Sequence, residues 1–170
     1  MLVWGGKKGH PDSINFHPSE GSMNEASKAI IVNTIKEWAK FTGEREKFTV
    51  VANEVAELAR RCVQESMAFM KAQSIDVDAD SIESMKIMKV PVHIDAVIEA
   101  NFPNVKASVM MKCAGASRAI IINANMTISA GGSPVPYETL KKGIPPAFEA
   151  NAADFVRDSF LYIARTGGKE

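Results

Sequence analysis

From residue 23 the apolar positions recur at intervals of three and four, and from residue 90 they recur at two, so the pattern passes from helix to strand along the chain. Ile31, Ile35 and Trp38 form a first helical stripe, with Ile30 beside it. Ser22-Met-Asn-Glu25 has the spacing of a capping box, in which the serine oxygen takes an orphan amide and the glutamate reaches back, and Gly43 supplies a stop. A first helix is therefore predicted over about 23–42. A second, over about 45–73, places Phe48, Val51, Val55, Leu58, Cys62 and Phe69 on one seam, interrupted by Glu65. Ala52, Ala56, Ala59, Val63 and Met70 make a smaller-residue stripe beside it, which allows a close neighbour. Two helices joined by so few residues are expected to form an antiparallel hairpin.

Asp76, Asp78 and Asp80 occupy the first positions of a calcium loop, but Ser81 and Ile87 stand where that loop needs glycine and glutamate. The segment reads instead as a short helix capped by Asp80, with Glu83 at the capping-box position. Beyond it Val90, Val92, Ile94, Ala96, Ile98 and Ala100 alternate with Pro91, His93, Asp95, Val97, Glu99 and Asn101, and Val105, Ala107, Val109, Met111 and Cys113 with Lys106, Ser108, Met110 and Lys112. After Gly115 a third run sets Ile120, Ile122, Ala124, Met126 and Ile128 on one face. These three runs predict a three-stranded antiparallel meander, apolar on one face and polar on the other. Residues 130–146 are rich in Gly and Pro and leave room for about one turn of helix around Tyr137 to Lys142. A last helix, about 147–165, carries Phe148, Ala152, Phe155, Val156, Phe160 and Ile163 before Gly167 ends it. The fold class expected is α+β: a helical hairpin, the meander and a C-terminal helix in one domain, residues 23–170, preceded by an extended arm, residues 1–22.

Composition narrows the function more than it names one. Lys plus Arg and Asp plus Glu number 20 each, so no net field draws the chain to nucleic acid or to acidic lipid. No secretory leader and no membrane span is legible, which points to the cytoplasm, and Asn125-Met-Thr is then an idle glycosylation pattern. Cys62 and Cys113 stand far apart without a CxxC, so they are expected to be free and buried rather than bridged or metal-bound. The arm scatters Leu2, Val3, Trp4, Ile14 and Phe16 among polar residues. A solvated tail is normally poor in aromatics, so Trp4 and Phe16 are the expected interaction anchors against this or a neighbouring subunit.

Candidate chemistry is sparse. His93 and Asp95 share a strand face, with Glu99 two pleats on, a conceivable acid/base ledge whose lid would be the 131–146 loop. No third metal ligand lies nearby in sequence, and neither a cofactor nor a metal is expected. Gly131-Gly132-Ser133 could curl round an anion, but Pro134 and Pro136 lack the amides a phosphate nest needs. The pairs Lys7-Lys8 and Lys141-Lys142 lack the interleaved aromatics of a nucleic-acid platform.

"FTVVANEVAELARR", residues 48–61, resembles the hairpin-tip segment of methyl-accepting chemotaxis receptors, through Phe48, Val50, Val51, Ala52, Glu54, Val55, Leu58 and Ala59. That resemblance implies a helix whose polar flank, Asn53, Glu54 and Glu57, meets a kinase and its adaptor. Trp38 departs from it, standing where that family places a small residue, and the period-two region beyond Pro91 ends any long coil. The predicted architecture is also similar to that of small head-closure, neck or tail-completion subunits of tailed phages. The expectation is a non-enzymatic structural or assembly subunit, cytoplasmic or in a virion, that touches other copies of itself or other proteins, without nucleic acid or membrane. Two alternatives stand beside it: a small-ligand protein or enzyme using His93 and Asp95, and a signalling adaptor using the receptor-like helix.

Overall fold

The computed structural model describes residues 23–167 and begins with one helix, α1 (Glu25–Ala72), where the pattern predicts two. The hairpin is thus replaced by a single element. Gly43 does not stop it, because a helical glycine costs only about 1 kcal/mol against alanine and strong helix formers follow, Glu44 to Lys47. Phe41 and Phe48, one heptad apart on either side of Gly43, are both buried, so packing holds the helix in phase across the glycine. Asn24 rather than Ser22 is the cap, its Oδ1 accepting from the Ser27 amide at 2.8 Å. At the other end Ser74 takes a left-handed conformation (φ 68°) and Ile75 N–H donates to the Met70 carbonyl at 3.1 Å, closing a Schellman turn without glycine.

The chain divides into two compact units, Met1–Lys40 and Phe41–Glu170, with α1 contributing to both. The boundary read from composition lies earlier, at Ser22.

In the second unit α1 is followed by a small antiparallel sheet of β1 (Val77–Asp78), β2 (Lys86–Ile87) and β3 (Val90–Pro91). It stands where a helix capped by Asp80 is expected. The short side chains bind their own backbone instead: Asp80 N–H donates to Asp78 Oδ1 at 3.2 Å and Glu83 N–H to Ser81 Oγ at 3.2 Å. Val77, Met85 and Ile87 are drawn into the core.

A second sheet runs β4 (His93–Asn101), β5 (Asn104–Cys113), β6 (Ala116–Ile122), β7 (Thr127–Ser129) and β8 (Val135–Pro136), each strand antiparallel to the next. The meander has five strands rather than three. The first expected run breaks at Val92 between β3 and β4, and the third turns back at residues 123–126, where Met126 takes φ 62° and its amide donates to the Asn123 carbonyl at 2.9 Å. The face assignment holds within the strands, where Ile94, Ala107, Val109, Met111, Cys113, Ile120, Ile122 and Ile128 are buried while His93, Asp95, Glu99, Lys106 and Lys112 are exposed. It does not hold in the turn, where Ala124, expected on the apolar face, is exposed and Met126 half-buried. Two helices close the fold, α2 (Tyr137–Lys142) and α3 (Pro146–Thr166), the latter ended by Gly167 at φ 73°.

Alongside edge strand β4, α1 runs in the opposite direction. Phe41 meets Phe102 edge-on at 5.2 Å near one end, and Arg60 forks onto the Ile94 carbonyl at 3.2 and 2.7 Å near the other. The arginine satisfies an edge acceptor that would otherwise invite another strand. On the inner face of the sheet α3 is tied by Arg118 to Asp158 at 3.0 Å. Val55, Ala56, Val63 and Met67 of α1, Val109, Met111 and Ile120 of the sheet, and Phe155 of α3 are all 0–1 % exposed and form the centre of the core.

Candidate protein-contact surface

The stripe read as the core face of a first helix lies on the surface. Ile30 is 65 % exposed, Ile31 44 %, Val32 47 %, Ile35 60 % and Trp38 52 %. Four large aliphatic side chains within six residues thus remain in contact with water, at roughly 25 cal/mol per Å² of apolar area that burial would recover. Isolated exposed hydrophobics are ordinary, but a continuous strip of them marks a contact site. The helix beneath is well formed: Asn24 caps it, Glu25 pairs with Lys28 at 3.6 Å, and Thr34 Oγ1 donates to the Ile30 carbonyl at 2.9 Å. The strip is therefore presented on an ordered backbone.

Around Ile31, Ile35 and Trp38, the flanking positions Ser27, Val32, Thr34 and Ala39 carry no charge, and Lys36, Glu37 and Lys40 stand on the far side of the helical wheel. Lys28 is the one charge on this otherwise uncharged face.

A second apolar surface lies in the unit Phe41–Glu170. Phe69, placed by its spacing on the core seam, is 69 % exposed. It borders a groove of about 410 Å³ with Met70, Ala153, Val156, Arg157 and Phe160. The burial of Cys62, Val63 and Met67 shows why: past Cys62 the buried face turns away from Glu65 and Phe69.

Among the other candidate residues, His93, Asp95 and Glu99 lie exposed on the outer face of β4, opposite Lys112, Met110 and Lys106 of β5. The segment 131–146 proposed to cover them contains β8 and α2, and β8 lies at the opposite edge of the five-stranded sheet from β4, four strand spacings or about 19 Å away. His93, Asp95 and that loop do not converge. Among the described residues no three His, Cys, Asp or Glu side chains are grouped to hold a metal, and no helix is long and apolar enough to cross a membrane. Asn53 and Glu54 of the receptor-like flank are exposed, while Glu57 is half-buried and takes Arg61 at 3.1 Å. They border α2, where the Lys141 ammonium sits over the Tyr137 ring at 5.3 Å. An open cleft of about 580 Å³ beside them carries both signs of charge, Lys47 and Lys141 against Glu54 and Glu138, so it favours neither anion nor cation.

Cys62 and Cys113 are free and buried, as expected. Burial, reinforced by Glu65 and Glu149, pushes the Cys62 thiol up to about 11. Burial also takes Cys113 to about 11; Ser159 opposes it weakly, its hydroxyl being donated to the Phe155 carbonyl at 2.7 Å. Neither thiol is an available nucleophile at neutral pH.

Trp4 and Phe16, the expected arm anchors, lie outside the described residues. The exposed strip on α1 was legible as a stripe but not as a surface. Its one advance signal was size, since Ile, Ile and Trp occupy positions that carry alanine farther along the same helix. A comparison of the chain with known protein families, with curated proteins and with solved structures finds no match in any of the three.

Proposed function

We propose that this protein works by contact rather than by chemistry, as an assembly subunit that buries residues 30–38 of α1 against another protein surface. One observation carries the reading: Ile30, Ile31, Val32 and Ile35 are each between 44 and 65 % exposed on an ordered, capped helix. The narrower comparison with phage head-closure, neck or tail-completion subunits drew on a helical hairpin, a meander, a closing helix and an aromatic arm; the first of these is one helix here, and the comparison is not what carries the proposal. Light scattering on the full chain between micromolar and millimolar concentration tests the reading. The expected mass exceeds the 18.4 kDa of one chain and returns to it in an Ile31→Asp, Ile35→Asp double variant. A wild type that stays at 18.4 kDa throughout, indistinguishable from the variant, would count against it.

A further inference from the structure

We infer that the partner of this strip is a second copy of the same chain, its α1 segment lying antiparallel to the first. The inference rests on the assembly reading above and specifies its partner and geometry.

Lys28, Ile31, Ile35 and Trp38 follow one another at three, four and three residues, the spacing of a coiled-coil seam. The seam contains one charge, Lys28, and that charge selects the orientation. In a parallel pair each position meets itself, so two Lys28 ammonium groups would be driven together. In an antiparallel pair that sets Ile31 against the partner's Ile35, the same register sets Lys28 against the partner's Trp38. Aliphatic then meets aliphatic, and an ammonium meets an indole face, twice over by symmetry. Both residues have the surface this needs, Lys28 with 48 % of its side chain exposed and Trp38 at 52 %. Among the described residues Lys28 pairs with the solvent-exposed Glu25, a weak pairing that is easily exchanged. The uncharged flanks, Ser27, Val32, Thr34 and Ala39, put no like charges opposite one another when a copy approaches.

The experiment mixes two full-length variants, Ile31→Cys and Ile35→Cys, under mild oxidation; the native thiols are buried and held at about 11, so they do not compete. Antiparallel pairing yields mainly the mixed 31–35 disulfide. Predominance of the 31–31 and 35–35 products, a statistical mixture, or no cross-link would overturn it. Because cysteine itself weakens the seam, Lys28→Glu is measured in parallel by light scattering. Loss of both cation–indole contacts should weaken association about tenfold or more, and an unchanged dissociation constant would overturn the pairing. If the wild type is heavier than one chain while these tests fail, the antiparallel self-pairing falls and the assembly reading stands. A wild type that is monomeric throughout removes both.

Discussion

Ile31, Ile35 and Trp38 stand three heptads before Ala52, Ala56 and Ala59 in the same helix, and the two triplets meet opposite fates. The alanines are 0–1 % exposed within the unit Phe41–Glu170, while the larger residues are 44–60 % exposed in the unit Met1–Lys40. In the second unit the alanines share a buried cluster with side chains of the sheet and of α3. Period alone therefore identifies an apolar face; whether the chain covers it depends on what the rest of the fold packs against it.

The contrast breaks first where packing is tightest. A Cβ on Gly115, in the β5–β6 turn, would fall inside the Tyr162 ring of α3. Gly115→Ala should cost about 1 to 3 kcal/mol by overpacking, since the ring tip of the half-buried Tyr162 must move aside, read as a fall in the urea midpoint; an unchanged midpoint would show that Tyr162 yields there without cost. Second, with both thiols at about 11, thiolate at neutral pH is about a hundredfold scarcer than in the unfolded chain. A thiol reagent should label Cys62 and Cys113 only as the protein opens, and immediate stoichiometric labelling of folded protein would contradict their burial. Third, Val55→Ala, at a residue 0 % exposed, should cost about 2 kcal/mol, whereas Ile35→Ala should change monomer stability by less than about 0.5 kcal/mol and instead shift the association equilibrium. Equal losses at the two sites would erase the distinction between the two stretches of α1.

Smaller effects sharpen the picture. Gly43 lies exposed, and an added Cβ meets nothing within 4 Å. Gly43→Ala should therefore stabilise by about 1 kcal/mol, whereas a glycine ending a helix would make the same change unfavourable. The weakest effect concerns α3. Burial tends to raise the Asp158 carboxyl, but hydrogen bonds and charge from Arg118 and Arg157 outweigh it and hold the carboxyl below its usual range. A folded carboxyl more acidic than the unfolded one contributes fully above the ordinary value of about 4, and that contribution is lost as the pH falls toward the depressed value. The stability difference between wild type and Asp158→Asn should shrink over that acid window. It is small throughout, since the paired side chains are 32 and 36 % exposed.

Much of the fold was legible because local chemistry and tertiary demand agree. The alternation from Ile94 to Ile122 assigns the buried sheet face correctly, and Gly167 ends α3 where a left-handed residue is needed. Legibility failed where local signals were weaker than packing. Gly43 and the capping-box letters at Ser22 each offered a plausible helix end, but the burial of Phe41 and Phe48 outweighs the first and Asn24 displaces the second. The run after Gly115 keeps its period through Met126, so nothing in its alternation shows the turn that Asn123 makes with Thr127, its Nδ2 donating to the Thr127 carbonyl at 3.1 Å. The exposed strip was visible only as a stripe, because whether an apolar face is covered depends on what the rest of the chain brings to it.

By itself, then, the sequence determined which residues seek burial and with what period, since spacing, propensity and side-chain size are properties of the chain. Which of those faces find a partner within the fold was decided only by the tertiary structure. Ala52, Ala56 and Ala59 belong to the buried cluster that also holds side chains of β5, β6 and α3, while Ile31 and Ile35 keep much of their surface toward water. Burial is a relation between surfaces, and a one-dimensional pattern specifies only one of the two.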